Sequence, residues 1–335
     1  MSLSLESTRN TDNILIRIED LKVAFFTHNA TVKAVDGINL QIREGQTLGL
    51  VGESGCGKTV TALSIMHLVP SPPGKIEEGR IFYKQQDLLQ VSREEMRKVR
   101  GNQISMIFQE PMSSLNPLFT IGDQIGEAIE THQKLSRKQS RERTIELLNL
   151  VGIPSAEQRF REYPHQLSGG MRQRAMIAMA ISCEPELLIA DEPTTALDVT
   201  IQAQILELLE SLRQRLNMSI LFITHDLGII AEMADMVAVM YGGKIVEYTE
   251  VDKIFTNPRH PYTIGLLNCL PQMGTGEKGK KERLATIPGI VPSLTDLPSG
   301  CRFAERCYQV MEHCHREEPA LKEIGEYHRV SCWRV

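Results

Sequence analysis

Apolar residues fall along this chain in short uninterrupted runs, and each run is followed by polar or glycine-rich residues and then by a helical pattern. The four clearest runs are Thr47–Val51, Gln103–Phe108, Glu186–Ala190 and Ser219–Thr224. A run with no polar alternation is typical of a strand buried on both faces, as in a parallel sheet. The strand–helix alternation therefore predicts an α/β fold with a mostly parallel sheet.

Two further patterns surround these runs. Alternating segments near the N-terminus predict a small antiparallel β subdomain, and a Gly242-Gly243 turn predicts a β-hairpin later in the chain. Between about residues 111 and 178 the strand pattern disappears and charged helical segments replace it, which predicts an inserted helical subdomain. The segments are Ile14–Phe26, Lys33–Leu40 and Gly79–Tyr83 for the small sheet, Met236–Met240 and Lys244–Glu247 for the hairpin, and Leu135–Leu150 for the clearest helix.

The pattern changes again after Pro258. A flexible, charged stretch at Gly274–Lys281 is followed by three prolines and then by four of the seven cysteines. We therefore divide the chain into a polar tail at residues 1–12, a main domain at 13–258 and a loop-rich C-terminal extension at 259–335. The extension has too few apolar residues for a core of its own, so a staple is expected there. A reducing compartment disfavours disulfides and favours metal binding by the cysteines.

Composition narrows the class of protein. The chain has 335 residues, 41% hydrophobic and 24% charged, which are ordinary globular values. A net charge of −5 argues against a general nucleic-acid binder, because phosphate neutralisation needs a basic excess. The longest apolar run, Ala175–Ile181, is much shorter than a membrane span, and no signal-peptide pattern opens the chain. These features predict a cytosolic protein.

A phosphate-binding loop follows the first buried run. Its residues are Gly52, Glu53, Ser54, Gly55, Cys56, Gly57, Lys58 and Thr59, and a helical pattern comes next. Glycines allow successive backbone N–H groups to surround phosphates at a helix N-terminus, where the helix dipole also favours anions. Lys58 would reach the outer phosphates and the Thr59 hydroxyl would bind Mg²⁺. For Cys56, we prefer a small packing residue to a reactive thiol with a lowered pKa.

Polar residues also end the other buried runs. Asp191 and Glu192 suit Mg²⁺ binding and activation of a water molecule, and Gln109 and His225 end two more strands. Each would be unremarkable alone, since a polar strand end is commonly just solvated.

Ser168, Gly169 and Gly170 precede a strongly helical run, which gives a second helix N-terminus suited to an anion. An isolated Ser-Gly-Gly would be interpreted as a simple helix cap. In this chain it accompanies the phosphate-binding loop and the acidic strand end.

Taken together, these motifs resemble the nucleotide-binding subunit of an ABC transporter, a P-loop NTPase of ABC type. The resemblance covers about residues 14–258. It implies that two ATPase chains sandwich ATP and Mg²⁺, with the Ser168–Gly170 signature of one chain completing the phosphate site of the other. One chain alone should therefore hydrolyse ATP poorly.

The resemblance also implies individual roles. Glu192 would be the catalytic base, Gln109 would sense Mg²⁺ and water, and His225 would hold the γ-phosphate. Asp198 would contact the partner across the dimer. Phe25, with Phe26 as a close rival, would stack on adenine. Val60 stands where many relatives carry a hydroxyl, and its backbone N–H would still serve the phosphates.

A second resemblance, to the oligopeptide and dipeptide importers, reaches nearly the whole chain. It is carried by Phe108–Pro117, Asn257–Thr263, Gly300–Cys307 and His328–Cys332. It implies a second ATPase subunit, more often a related chain than a copy, two transmembrane permease subunits and an extracellular peptide-binding protein. It implies a place at the cytoplasmic face of the membrane. Peptides are the leading cargo, with nickel chelates, glutathione and oligosaccharides as alternatives.

The four clustered cysteines, Cys301, Cys307, Cys314 and Cys332, are predicted to hold one metal centre. No pair has the close spacing with which structural zinc sites begin, so we prefer a [4Fe-4S] cluster, as the family extension implies, to Zn²⁺. His313 or His315 could replace one thiolate. Arg302 and Arg306 are expected to offset the cluster's negative charge, and nothing in the sequence places this centre near the ATP site.

The rival function is a soluble ABC ATPase that acts on nucleic acid or ribosomes. Repair ATPases of that kind insert long coiled coils between the phosphate loop and the signature, and ribosome-linked ones carry two cassettes. The interval from Lys58 to Ser168 is short here, and there is one cassette. A dead cassette is disfavoured because Lys58, Glu192 and His225 are all present.

Overall fold

A mixed, mainly parallel sheet of eight strands runs through the centre of the computed structural model, which describes residues 13–110, 114–195, 197–270 and 286–335. The predicted tail at 1–12, the stretch at Gly274–Lys281 and Ala196 lie outside the described residues. The strands are β1 (Ile14–Phe26), β2 (Thr31–Arg43), β3 (Thr47–Val51), β4 (Gly74–Tyr83), β5 (Gln86–Asp87), β6 (Ile104–Ile107), β7 (Leu187–Asp191), β8 (Ser219–Thr224), β9 (Met236–Tyr241), β10 (Lys244–Glu250), β11 (Lys322–Gly325) and β12 (His328–Val330).

The described helices surround this sheet. They are α1 (Lys58–Ile65), α2 (Arg93–Val99), α3 (Ile121–Gln133), α4 (Arg137–Leu150), α5 (Ala156–Arg159), α6 (Gly169–Ala180), α7 (Val199–Leu216), α8 (Leu227–Met233), α9 (Val251–Thr256) and α10 (Pro261–Asn268). Among the residues that the structure describes, no helix has both the length and the apolar character needed to cross a membrane.

The strand order of the large sheet is β11-β12-β10-β9-β3-β8-β7-β6. The five strands from β9 to β6 are parallel, and every residue of β3, β7 and β8 is buried. Strands covered on both faces lose both sets of side chains from water, which is why they appear as uninterrupted apolar runs. The predicted α/β fold is confirmed.

The smaller sheet, in the order β2-β1-β4-β5, is antiparallel. Its apolar side chains, among them Leu15, Ile38 and Ile81, share one core with Leu48 and Leu50 of the large sheet. The small sheet therefore covers one face of the strand that leads into the phosphate loop.

Helices α3, α4 and α6 pack together in the region where the strand pattern disappears. Hydroxyl side chains cap all three: Thr120, Ser136 and Ser168 each accept a backbone N–H from the first turn. A side-chain acceptor satisfies a helix donor that has no partner within the helix, which explains why each helix begins where it does.

The C-terminal extension adds strands to the large sheet. Strand β12 pairs with β10, with Glu247 opposite Val330, and β11 pairs with β12 at the edge. Glu247 is fully buried and accepts the backbone N–H groups of Arg259 and His260 and the Nε2 of His328. The segment expected to be loop-rich is thus joined to the main domain by a continuous ladder and a buried carboxylate.

Candidate active site

The phosphate loop joins β3 to α1, and two of its glycines leave no room for a side chain. Gly52 has φ +154°, and a Cβ there would lie 2.1 Å from the carbonyl oxygen of Met240. Gly57 has φ +109°, and its Cβ would lie 2.3 Å from the carbonyl oxygen of Ala34. Glycine is needed at both positions because the loop passes directly over neighbouring backbone.

Lys58 is buried at the start of α1, and its ammonium group points back into the loop. It donates to the carbonyl oxygens of Gly52 at 2.7 Å and Glu53 at 3.1 Å. Cys56 is buried in the same loop, and burial raises the pKa of its thiol. The rise in pKa fits a packing role and does not fit a reactive thiol.

Two oxygen ligands suitable for Mg²⁺ lie together beneath the loop. The hydroxyl of Thr59 donates to Oδ1 of Asp191, the last residue of β7, over 3.3 Å. Asp191 is buried, and burial raises the pKa of its carboxyl. Hydroxyl and carboxylate oxygens are the hard donors that Mg²⁺ prefers, so these residues fit the ion expected for this class of site.

The carboxylate of Glu192 connects three strand ends. Its Oε2 accepts from Nε2 of Gln109 at 3.1 Å, and its Oε1 lies 3.3 Å from Nδ1 of His225. The Glu192 backbone has φ +46°, a left-handed conformation that is uncommon for a residue with a side chain. The structure thus brings together all three residues that were predicted to be catalytic.

Sequence analysis missed Thr195, whose hydroxyl donates to Oε2 of Glu192 at 3.0 Å. Its position in the turn after β7 carries no pattern that distinguishes it from a solvated threonine. With Gln109 on the same oxygen, Thr195 orients the carboxylate.

The signature residues lie at the exposed start of α6. Ser168 accepts the backbone N–H of Met171 at 3.3 Å, so it acts as a helix cap. Asp198 likewise caps α7, with the N–H of Ile201 at 3.0 Å. A Cβ on Gly170 would lie 3.0 Å from Ile201, so the two helix starts are neighbours. Ser168, Gly169 and Asp198 are all exposed, as a surface that meets another chain requires.

The predicted adenine-stacking residue lies on the small sheet, at the end of β1. Phe25 is partly buried and packs with the core there, whereas Phe26 is 46% exposed. The choice between them stays a prediction.

Comparisons with known proteins agree with this geometry. Residues 35–195 match the ABC transporter family, and residues 246–314 match the C-terminal region of oligopeptide and dipeptide transporters. The oligopeptide transport ATP-binding protein OppD of Bacillus subtilis is 50% identical over 95% of this chain and 88% of its own length. The dipeptide transport ATP-binding protein DppD of the same organism is 49% identical over 95% of this chain and 94% of its own. The chain belongs to this family of ABC ATP-binding proteins.

A solved structure extends the comparison to the fold. A dimeric bacterial ABC transporter cassette superimposes on 70% of this chain and 98% of its own with a TM-score of 0.63, at 25% identity. The family resemblance that the motifs indicated is therefore confirmed, and this ABC protein carries a C-terminal extension beyond the shared cassette.

That extension lies against the phosphate loop, a contact that nothing in the sequence indicated. The guanidinium of Arg306 binds both carboxylate oxygens of Glu53, at 2.7 and 3.0 Å. Arg302 donates to the carboxylate of Asp36 and to the carbonyl of Gly242. Both arginines are therefore paired with carboxylates of the main domain. Whether they also offset the charge of a metal centre stays a prediction.

The four clustered cysteines of the extension line one small, mainly apolar cavity, together with side chains such as Pro261, Phe303 and Ala304; they are Cys301, Cys307, Cys314 and Cys332. All four are free thiols. Burial raises the pKa of the Cys301 thiol to about 11. Burial also raises the pKa of Cys307 and Cys332, and the nearby Arg334 opposes that rise only in part. Within the described ranges, no three Cys, His, Asp or Glu residues form a group that could hold a single metal ion.

Backbone N–H groups face three of these sulfurs. Phe303, Gln309 and Arg334 each donate to the cysteine two positions earlier in the chain. Hydrogen bonds of this kind favour the thiolate, the form that binds metal, but burial outweighs them at all three cysteines.

Proposed function

We propose that this chain hydrolyses ATP to drive import of dipeptides or oligopeptides through a membrane ABC transporter. One observation carries the catalytic part of the proposal: the Glu192 carboxylate is hydrogen-bonded to Gln109 and faces His225, beside the Thr59–Asp191 pair. The peptide cargo is supported by the relatives that are about half identical over nearly the full chain, which are oligopeptide and dipeptide transport ATP-binding proteins.

Each residue has a chemical task in this proposal. Glu192 accepts the proton of the attacking water, and Gln109 and Thr195 hold its carboxylate in one orientation. Lys58 leaves its loop carbonyls to neutralise the outer phosphates, while the loop N–H groups bind their oxygens. Thr59 and Asp191 would hold Mg²⁺, which neutralises the charge that develops on the phosphates.

The assembly follows from the exposed signature. Ser168 and Asp198 present a helix start and a carboxylate to solvent, and they would complete the phosphate site of a second ATPase chain. Two permease subunits would receive this pair at the cytoplasmic face of the membrane, and an extracellular binding protein would deliver peptide. We prefer a related second chain to a second copy of this one. The boundary between the ATP-binding domain and the extension, at about residue 258, is also part of the proposal.

Reconstitution tests the transport function. The chain should co-purify with permease subunits, and the assembled complex in vesicles should hydrolyse ATP faster when peptide and its binding protein are supplied. If only a nickel chelate, glutathione or an oligosaccharide stimulated hydrolysis, that compound would be the cargo instead of peptide. Co-purification with ribosomes or nucleic acid would favour the rival function.

For the extension, we propose that Cys301, Cys307, Cys314 and Cys332 hold a [4Fe-4S] cluster, with Zn²⁺ as the alternative metal. Support comes from four free thiols around one apolar cavity and from the backbone N–H groups that face three sulfurs. A cubane cluster is held by four cysteine thiolates, and four thiols line this cavity. The group would staple a segment that lacks a core of its own.

Metal analysis distinguishes the two centres. Anaerobically purified protein should be brown and contain about four irons and four acid-labile sulfides per chain. Cys301→Ser should lose this content. Cys269→Ser is a matched control because Cys269 lies outside the cavity at the end of α10. A colourless protein with one zinc would show that the centre is Zn²⁺ and not an iron–sulfur cluster. A metal-free protein would refute both centres.

A further inference from the structure

The contact between Arg306 and Glu53 joins the two ends of the chain inside the nucleotide site. The Arg306 side chain is only 3% exposed, and its two terminal nitrogens meet the two oxygens of Glu53 in a bidentate pair. Such a fork-shaped pair fixes direction as well as charge, so Arg306 holds the Glu53 side chain in one orientation.

Glu53 is an unusual residue to hold, because it is an acid within a loop that binds phosphates. Its own charge opposes the approach of ATP unless a cation neutralises it. The extension also holds the Glu53 backbone, since the N–H of Glu53 donates to the hydroxyl of Tyr262 in α10 at 2.9 Å. The extension thus forms hydrogen bonds to both the carboxylate and the backbone amide of Glu53.

A second contact supports the far side of the same loop. Arg302 donates to the carbonyl of Gly242, and the next residue, Gly243, donates to the carbonyl of Cys56 at 2.9 Å. The N–H of Asp36 in turn donates to Gly243 at 3.0 Å. The turn between β9 and β10 therefore transmits the position of the extension to the phosphate loop.

We infer that Arg306 is a positioning residue for ATP: it neutralises Glu53 and fixes the phosphate loop, so that the C-terminal extension sets the ATP affinity of the cassette. This inference rests on the ATP site proposed above and does not depend on which metal the cysteines hold. Arg306 acts through Glu53 and needs no contact with the nucleotide itself.

The test measures the Kd for Mg-ATP on the full-length chain. Arg306→Gln should raise this Kd about 3- to 30-fold, the effect expected of a residue that acts on a site without touching the ligand. The double variant Arg306→Gln/Glu53→Gln should bind ATP more tightly than Arg306→Gln alone, because the uncompensated carboxylate is gone. Arg306→Lys, which keeps the charge without the fork, should lie between wild type and Arg306→Gln.

Arg316→Gln is the matched control. Arg316 lies in the same extension and pairs with Glu312, but its side chain is 70% exposed. Equal Kd values for Arg306→Gln and Arg316→Gln would overturn the inference, as would a double variant that binds as weakly as the single one. If Arg306→Gln does not fold, Arg306→Lys with and without Glu53→Gln gives the same comparison. A wild-type chain that does not bind ATP would refute the proposed site instead.

Discussion

At the scale of single residues, the Glu192 carboxylate is contacted by three polar side chains. Gln109 and Thr195 donate to one of its oxygens, and His225 faces the other. If Glu192 is the base, Glu192→Gln keeps the shape of the side chain and removes its ability to accept a proton. We expect turnover to fall by a factor of about 10² to 10⁴, with Mg-ATP binding retained.

Phosphate release from the assembled transporter and equilibrium ATP binding provide the two measurements. Glu232→Gln in α8 is the control, because Glu232 is an exposed carboxylate outside this network. Near-normal turnover of Glu192→Gln would show that another group takes the proton.

Asp191 leads to a prediction about stability. Burial raises the pKa of its carboxyl, so the ionised form is unfavourable in the fold and becomes more favourable on unfolding. Asp191→Asn should therefore stabilise the nucleotide-free chain by about 0.5–2 kcal/mol at neutral pH while removing a Mg²⁺ ligand. The gain should vanish in acid, where the wild-type carboxyl is protonated as well.

Urea unfolding with and without Mg-ATP checks this trade-off. The wild type should be stabilised by Mg-ATP and Asp191→Asn should respond far less. A variant that is less stable without nucleotide would contradict the argument that the buried charge is costly.

The structure brings Gln109, Glu192 and His225 together, and their catalytic roles stay predictions. The carboxyl ends of neighbouring parallel strands meet at one sheet edge, so Gln109, Glu192 and His225 could be expected to meet. The bond between Arg306 and Glu53 spans 253 positions, and no local pattern marks either residue as a partner of the other.

At the scale of elements, burial decides which strands are visible in the sequence. Strands β3 and β8 are buried at every position and were predicted with the observed bounds. All four residues of β11 are exposed, so no apolar pattern distinguishes Lys322–Gly325 from a loop. Strands of the extension are held by pairing with β10 and β12, and such long-range pairing leaves no signal in composition.

Glu247 provides a test of that attachment. Its buried carboxylate accepts from two backbone N–H groups and from His328, so Glu247→Ala would leave three donors unpaired. We expect a loss of about 3–5 kcal/mol in unfolding free energy, and a smaller loss for Glu247→Gln. Thermal or urea unfolding measures it, and protease cleavage within the extension should increase.

Glu250→Ala serves as the control because Glu250 forms a solvent-exposed ion pair with Lys253 in the same strand region. Exposed pairs contribute at most about 1 kcal/mol. Similar losses for Glu247→Ala and Glu250→Ala would mean that the buried carboxylate does not anchor the extension.

At the scale of the whole molecule, the two proposed anion sites have different surroundings. The phosphate loop is enclosed by β2, by the β9–β10 turn and by the extension, through Ala34, Gly243 and Arg306. The signature at Ser168 is exposed, and its Gly170 lies beside the start of α7. An enclosed half-site and an exposed half-site are complementary, which is the arrangement a two-chain ATP site requires.

This arrangement predicts that two substitutions separate binding from hydrolysis. Ser168→Arg places a bulky cation on the exposed helix start. In the proposed dimer this helix start serves the partner's phosphate site and not the chain's own. ATP binding by the isolated chain should remain close to wild type, while hydrolysis by the assembled transporter should be abolished, because the partner's phosphate site is no longer completed.

Lys58→Ala should instead weaken ATP binding itself. It should raise the Kd for ATP on the isolated chain, because it removes the positive charge that faces the phosphates. Equilibrium binding on the isolated chain and phosphate release from the assembly measure both. If Ser168→Arg weakened binding as much as Lys58→Ala does, the signature would have to serve its own chain, and the two-chain site would be refuted.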